Sequence, residues 1–243
     1  MALPITQLPK HDTKLPFSGE TVKFRPFTVR EEKILMMAST TKDPDEKLKA
    51  SIQIIENCTF GKVDVAGLPY GDLQWLLTMI RSRSVGDTVI VSHTCDNDGC
   101  GKENQIEIDL TKMKLNGPLP NNKIMLTDTV GVVLKFPSIS LIQGSKKDED
   151  GEIIDDTKKG DLLLDFMMGC IESIFDEDQV WETKDVQREE LENFVLDLTN
   201  DQSMKIKDFF ESIPRLEIVR KYKCKHCGKE HELKVDTFEN FTS

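Results

Sequence analysis

Histidine is scarce in this chain, and the sequence motifs of common enzyme families are missing. The 243 residues include four histidines: His11 lies near the start, whereas His93, His226 and His231 lie close to cysteines. No P-loop, GxSxG, HExxH or glycine-rich dinucleotide-binding pattern is present in the sequence. The 43 acidic residues are too numerous for any one pair to be assigned a catalytic role from the sequence. We therefore predict that the protein is not an enzyme.

Long hydrophobic runs and an excess of basic charge are missing as well. No stretch approaches the ~20 apolar residues of a membrane-spanning helix, and the start of the sequence has no apolar core of a signal peptide. The net charge is −11, with no basic stripe of the kind that neutralises nucleic-acid phosphates. We expect a soluble intracellular protein with no membrane contact, and nucleic acid is not an expected partner.

Six cysteines are present, and four of them form two close pairs. Because intracellular cysteines stay reduced, such pairs indicate a metal or redox site rather than disulfides. The pairs lie in "DTVIVSHTCDNDGCGKENQIEIDL" and "LEIVRKYKCKHCGKEHELKVDTF". Each stretch has a β-prone run, a short cysteine loop that closes on "CGKE", and a second alternating run. We predict two β-hairpins, each with a metal-binding turn, or knuckle, at its tip.

The four paired cysteines are the candidate metal ligands: Cys95, Cys100, Cys224 and Cys227. Four thiolates in a tetrahedral arrangement make a closed structural zinc site, as in a zinc ribbon. The two knuckles have four and two residues between their cysteines, and both spacings are ordinary for zinc ligands. Zn²⁺ would then stabilise the fold rather than catalyse a reaction.

Three alternatives to this zinc site remain open. The pairs could be a redox dithiol, although a thioredoxin-type CxxC normally opens a helix. They could also be free cysteines in two hairpins, or one of His93, His226 and His231 could replace a cysteine as ligand. The other cysteines, Cys58 and Cys170, lie in apolar helical contexts and are predicted to be core residues.

The predicted fold class is α+β, with a mainly helical body and a discontinuous zinc-ribbon-like pair of knuckles. We divide the chain into an extended N-terminal arm (1–20), a helical region (21–85), the first knuckle (86–112), an inserted region of strand, acidic loop and helices (113–215), and the second knuckle (216–243). Thr28 with Glu31 has the pattern of a capping box, and Pro44 suits the first turn of the next helix.

Apolar spacing predicts the remaining helices. One should cover "DLLLDFMMGCIESIFD", with Leu163, Phe166, Met167, Cys170, Ile171 and Ile174 on one buried face. Two more should cover "TKDVQREELENFVLDLTND" and "DQSMKIKDFFESIP", and an earlier one should run from about Gly71 to Arg83. The acidic stretch "KKDEDGEIIDD" is expected to be a solvated loop or a docking site for a basic partner.

Two stretches resemble a known family. "FRPFTVREEK", which leads into a long apolar helix, and the knuckle "CGKENQIEIDL" are similar to the baseplate hub subunit and baseplate hub assembly catalyst family of T-even-type contractile-tailed bacteriophages. The likeness is greatest from about Val22 to Leu110, and Cys224 and Cys227 complete it.

The resemblance implies a protein that helps to build the tail baseplate, as an assembly chaperone or a structural subunit. Its partners would be other tail or baseplate proteins. It would act in the host cytoplasm during virion assembly, and family members differ in whether they stay in the finished particle. Because extended arms and apolar helices are common interaction devices, we expect the arm (1–20) or Phe24 to Met37 to contact these partners. Self-association is a further possibility that the sequence leaves open.

The alternative function is a zinc-ribbon nucleic-acid-binding or transcription accessory protein. It depends on a local basic patch that consists of Lys221, Lys223, Lys225 and Lys229. The net charge argues against it, as does the lack of aromatic residues between these lysines other than Tyr222.

Overall fold

The computed structural model describes residues 7–41, 43–144 and 159–235. The chain divides into two compact units. Unit 1 comprises residues 1–65, 71–117 and 215–243, and unit 2 comprises residues 66–70 and 118–214. The predicted acidic stretch "KKDEDGEIIDD" lies outside the described residues, as does the start of the predicted arm.

The described residues form eleven strands and seven α-helices, with two short 3-10 helices at Leu110–Lys112 and Thr183–Asp185. The strands are β1 His11–Lys14, β2 Thr21–Phe24, β3 Thr88–Thr94, β4 Glu103–Asp109, β5 Lys114–Leu115, β6 Lys123–Met125, β7 Gly131–Leu134, β8 Ile171–Phe175, β9 Val180–Glu182, β10 Leu216–Lys223 and β11 Glu230–Val235. The helices are α1 Val29–Thr40, α2 Pro44–Cys58, α3 Tyr70–Ser84, α4 Ile139–Gly144, α5 Lys159–Cys170, α6 Arg188–Leu196 and α7 Asn200–Glu211.

The strands make four small antiparallel sheets, and this corrects the predicted fold class. Across the described chain the sheets are β1–β2, β3–β4, β11–β10–β5 and β6–β7–β8–β9. The fold is mixed α+β, so a mainly helical body was wrong. The zinc-ribbon architecture is also unsupported, since the two cysteine hairpins belong to separate sheets that share no strand. Strand pairing between distant residues, which periodicity along the chain does not reveal, accounts for the error.

The predicted arm is folded from residue 11 onward. β1 pairs with β2 from His11–Phe24 to Lys14–Thr21, and Leu15 is buried. The backbone N–H groups of Phe17 and Ser18 donate to the buried carboxylate of Asp72 at 2.8 and 2.9 Å. Burial raises the pKa of Asp72, and these two N–H donors counter that effect. A buried acceptor on α3 therefore anchors the segment that the sequence suggested was extended.

Helix α1 begins with the predicted capping box. The Glu31 carboxylate accepts from the Thr28 backbone N–H at 2.8 Å, and Arg25 lies 3.1 Å away in an ion pair. Burial on its own would raise the pKa of Glu31, but the hydrogen bonds from Arg25 and Thr28 outweigh it and lower the pKa to about 2. At the start of α2, the Asp43 side chain accepts from Asp45 N–H, and Pro44 occupies the first turn.

The unit 1 interior contains two sets of buried apolar side chains. The first comes from α2 and α3, and its fully buried members include Ile54, Ile55, Cys58, Leu73, Leu76 and Ile80. The second lies beneath the cysteine hairpins and consists of Ile106, Ile108, Leu110, Met113, Leu216, Ile218 and Val235. The prediction that Cys58 is a core residue is confirmed.

Unit 2 contains the four-stranded sheet and helices α4 to α7. The helix predicted over "DLLLDFMMGCIESIFD" ends at Cys170, and Ile171–Phe175 forms β8 between β7 and β9. Its β-branched isoleucines suit a strand, and pairing with β7 satisfies the backbone there. Leu163, predicted to be buried, is exposed, whereas Cys170 is fully buried as predicted. The buried core comprises Leu126, Val132, Leu134, Met167, Met168, Ile171, Ile174, Leu191, Val195, Ile206 and Phe209.

Candidate metal centre

The first cysteine loop connects β3 to β4. The two strands pair from Thr88–Asp109 to Thr94–Glu103, so the loop lies at the far end of the hairpin. Cys95 N–H donates to the Lys102 carbonyl at 2.9 Å and closes the loop. Gly101, directly after Cys100, has a φ of 54°, a conformation that glycine adopts without the steric cost of a side chain.

The second cysteine loop connects β10 to β11 in the same manner. Pairing extends to Lys223–Glu230, and Cys224 N–H donates to the Lys229 carbonyl at 2.9 Å. Gly228, directly after Cys227, has a φ of 75°. Both predicted hairpins are therefore present, and each has a glycine of positive φ directly after its second cysteine.

The two loops bring the four predicted cysteines together. All four sulfurs lie within 4.8 Å of one another. Cys95 Sγ is 3.7 Å from Cys227 Sγ, and Cys100 Sγ is 3.8 Å from Cys224 Sγ. A tetrahedral site with Zn–S bonds of about 2.3 Å has sulfur–sulfur separations of about 3.8 Å. A disulfide would need about 2.05 Å, and all four cysteines are free thiols. The cluster thus has the composition and dimensions of a tetrathiolate metal site.

Burial and hydrogen bonding differ among the four thiols. Cys95 and Cys224 are buried, Cys100 is half-buried and Cys227 is exposed. Burial raises the pKa of Cys95. The backbone N–H groups of Cys227 and His226, together with the Asn104 amide, lower the pKa of Cys224. The N–H groups that surround Cys224 favour its thiolate, the form that binds metal.

The three histidines near the cysteines occupy different environments. His231 is buried, with Nε2 at 3.2 Å from Cys95 Sγ and Nδ1 at 3.3 Å from an Asp96 carboxylate oxygen. His93 Nδ1 lies 2.6 Å from the Tyr222 hydroxyl, and His226 is exposed. Cys95, Asp96 and His231 form a second group of candidate ligand atoms within 4.8 Å.

Sequence reasoning overlooked Asn104. This residue is buried, and its Nδ2 donates to Cys224 Sγ at 3.4 Å while its Oδ1 accepts from Lys225 N–H at 2.9 Å. A signal was available in the sequence, since Asn104 follows Cys100 by the same interval that separates His231 from Cys227.

Most of the local basic patch is paired with carboxylates. Lys229 Nζ lies 2.8 Å from an Asp96 oxygen, Lys223 Nζ lies 3.0 Å from Glu230, and Lys221 Nζ lies 3.7 Å from Glu232. These pairs are solvent-exposed and contribute little stability. They do, however, offset the positive charge on which the nucleic-acid alternative depended.

The fold and the thiol cluster together define a mixed α+β protein with a candidate structural metal centre. Comparison with protein families is more specific: the chain belongs to the T4 bacteriophage base plate protein family, which matches residues 8–242. The baseplate part of the predicted identity and function is thereby confirmed. Searches of curated proteins and of solved structures gave no match. Within the described ranges, every helix is too short or too polar to cross a membrane.

Proposed function

We propose that this protein is a non-enzymatic component of the tail baseplate that acts through contacts with other tail proteins. The family match over residues 8–242 is the observation that carries the proposal. The finer assignment, to the baseplate hub and to an assembly role in the host cytoplasm, is supported by the "FRPFTVREEK" and "CGKENQIEIDL" stretches.

Helix α1 offers a candidate contact surface for such partners. Val29, Met36 and Met37 have exposed fractions of 79%, 66% and 66%. Flexible methionines suit surfaces that pack against a partner. The exposure of Met36 and Met37 makes both side chains available to a partner. This surface lies within the proposed contact segment, Phe24 to Met37.

A pull-down from infected cells tests the baseplate role. Tagged protein should retain tail or baseplate proteins, and a Met36→Lys, Met37→Lys double variant should retain fewer of them. A Leu196→Lys, Met204→Lys double variant is the matched control, because it adds the same charge at exposed apolar positions outside Phe24 to Met37. Recovery of polymerase or helicase without tail proteins would overturn the proposal. Mass spectrometry of purified particles then separates a structural subunit, which is present, from a transient chaperone, which is absent.

We also propose that Cys95, Cys100, Cys224 and Cys227 bind one structural Zn²⁺. Thiolate ligands select soft or borderline metals, and four of them leave no open position for water or substrate. The sulfur–sulfur distances of 3.7 and 3.8 Å are those of unbonded thiols and not of a disulfide. The gathering of four sulfurs within 4.8 Å supports a metal site over a redox dithiol, which needs only two.

Elemental analysis tests the zinc proposal directly. Protein purified without chelator should contain one zinc per chain, and Cys95→Ser should lose it. Cys58→Ala and Cys170→Ala remove thiols from outside the cluster and should keep full zinc content. A wild-type protein that takes up no zinc from a zinc-supplemented medium would contradict the proposal.

A further inference from the structure

The two cysteine loops are related position by position, despite their different lengths. "CGKEN" spans residues 100–104 and "CGKEH" spans residues 227–231. Asn104 in the first and His231 in the second therefore stand at equivalent positions, each four residues after the second cysteine of its loop.

These two residues make reciprocal contacts across the hairpins. Asn104 Nδ2, on the first hairpin, lies 3.4 Å from Cys224 Sγ on the second. His231 Nε2, on the second hairpin, lies 3.2 Å from Cys95 Sγ on the first. Each side chain thus reaches the first cysteine of the opposite loop.

Other contacts repeat the same relationship. Cys95 with Lys102 and Cys224 with Lys229 make equivalent backbone hydrogen bonds, both at 2.9 Å. Two residues before each first cysteine stand His93 and Tyr222, and these side chains meet each other at 2.6 Å. The two loops are therefore related by a local pseudo-twofold symmetry. A contact made by a residue of one loop is also made by the equivalent residue of the other.

We propose that Asn104 and His231 are positioning residues of the metal centre, each an N–H donor to one thiolate, and that His231 is not a ligand. This inference rests on the proposed metal site. Each N–H would stabilise the negative charge on a ligating sulfur and fix the orientation of that sulfur.

The surroundings of both donors agree with that role. Asn104 is itself held by two further hydrogen bonds, from Nδ2 to the Lys102 carbonyl at 3.1 Å and from Lys225 N–H to Oδ1 at 2.9 Å. On His231, an Asp96 carboxylate oxygen lies 3.3 Å from Nδ1, so the ring is held between Asp96 and Cys95.

The geometry also favours a donor over a ligand at His231. In the described chain, the ligand group that contains His231 includes Cys95 and Asp96, whereas the four cysteines form a group without it. A zinc-bound nitrogen and sulfur would lie about 3.6 Å apart, given bonds of about 2.05 and 2.3 Å. The 3.2 Å between Nε2 and Cys95 Sγ is shorter than this and suits an N–H···S hydrogen bond.

The test uses matched variants of the full chain, measured by zinc competition with a chromophoric chelator and by the absorption spectrum of the Co²⁺ form. Asn104→Leu and His231→Phe remove the donors. Asn104→His and His231→Asn place the residue of one loop in the other and keep an N–H. His226→Phe, at an exposed histidine of the second loop, is the control. Circular dichroism checks that each variant folds.

We expect Asn104→Leu and His231→Phe each to weaken zinc binding about 10–100-fold. The donor-retaining variants should recover most of the affinity even if a donor-free variant fails to fold, and His226→Phe should match wild type. Every variant should keep the thiolate-to-Co²⁺ band of four thiolates. Two results would overturn this inference and leave the metal site intact. One is an unchanged zinc affinity in both donor-free variants. The other is a Co²⁺ spectrum of the His231→Phe protein that shows the loss of a ligand. A wild-type chain that binds neither metal would overturn both proposals.

Discussion

The cysteine hairpins of unit 1 and the four-stranded sheet of unit 2 are stabilised in different ways. The sheet packs on a continuous apolar cluster that includes Val132, Ile171 and Ile206. The hairpins have such a cluster only at their base, around Ile108 and Ile218, whereas the contacts at their tips are thiols, amides and imidazoles. Where a hairpin extends beyond its apolar core, a metal centre can supply the missing stabilisation.

Loss of one thiolate should have the largest effect, and that effect should be confined to the hairpins. Structural zinc contributes about 10–16 kcal/mol to the folding of small zinc domains, and a site that has lost one of its four thiolates should lose a large part of that stabilisation. Cys224→Ser should therefore abolish stoichiometric zinc binding and increase hydrogen exchange in β3, β4, β10 and β11. Exchange in β7 and β8 should stay as in wild type. Equal increases in both regions would show that the two are not stabilised separately.

A cavity in the unit 2 core should produce the opposite pattern. Ile206 is fully buried in the apolar cluster, so Ile206→Ala should lower the free energy of unfolding by about 2–5 kcal/mol. Chemical denaturation measures this loss, and zinc content should remain at the wild-type value. Met204→Ala, at an exposed position on the same helix, is the control and should have little effect. Zinc loss in the Ile206→Ala protein would contradict the view that the hairpins and the four-stranded sheet are stabilised separately.

Lowering the pH should reduce the stability of unit 1 as Glu31 becomes protonated, and this effect does not involve the thiols. The pKa of its carboxyl is about 2 in the folded protein, against an ordinary value of 4.5. A lowered folded pKa gives stability that is present above about pH 4.5 and is lost as the pH falls towards 2. The shift corresponds to about 3 kcal/mol. Glu31→Gln should remove this part of the pH dependence, measured as unfolding free energy against pH, whereas Glu32→Gln at the exposed neighbour should keep it.

The smallest effect should come from a helix cap in unit 2. At the start of α7, the Thr199 hydroxyl accepts from Gln202 N–H, and Gln202 Oε1 accepts from Thr199 N–H. Thr199→Ala should lower the unfolding free energy by about 1 kcal/mol, with Thr199→Ser close to wild type. Thermal unfolding of wild type, Thr199→Ala and Thr199→Ser would rank their stabilities. An alanine variant as stable as wild type would show that the cap does not stabilise α7.

Local patterns in the sequence predicted a substantial part of the fold. The capping box at Thr28 and the proline start at Pro44 were confirmed, because both depend on residues within one helical turn. The two cysteine hairpins were also confirmed, because each is formed by two strands that are adjacent in the chain. Ile171 was misassigned to a helix because a short apolar run fits either period, and its strand partner in β7 lies far away in the sequence.

The sequence by itself determined the thiol content of the candidate centre and the local turns that present it, since cysteine spacing and a glycine of positive φ are properties of a few adjacent residues. Only the tertiary structure decided which atoms surround those thiols. Asn104 and His231 each contact a cysteine of the opposite hairpin, 120 and 136 residues away in the chain. Such contacts depend on how two distant hairpins face each other, and the packing of the apolar residues at their base sets that arrangement.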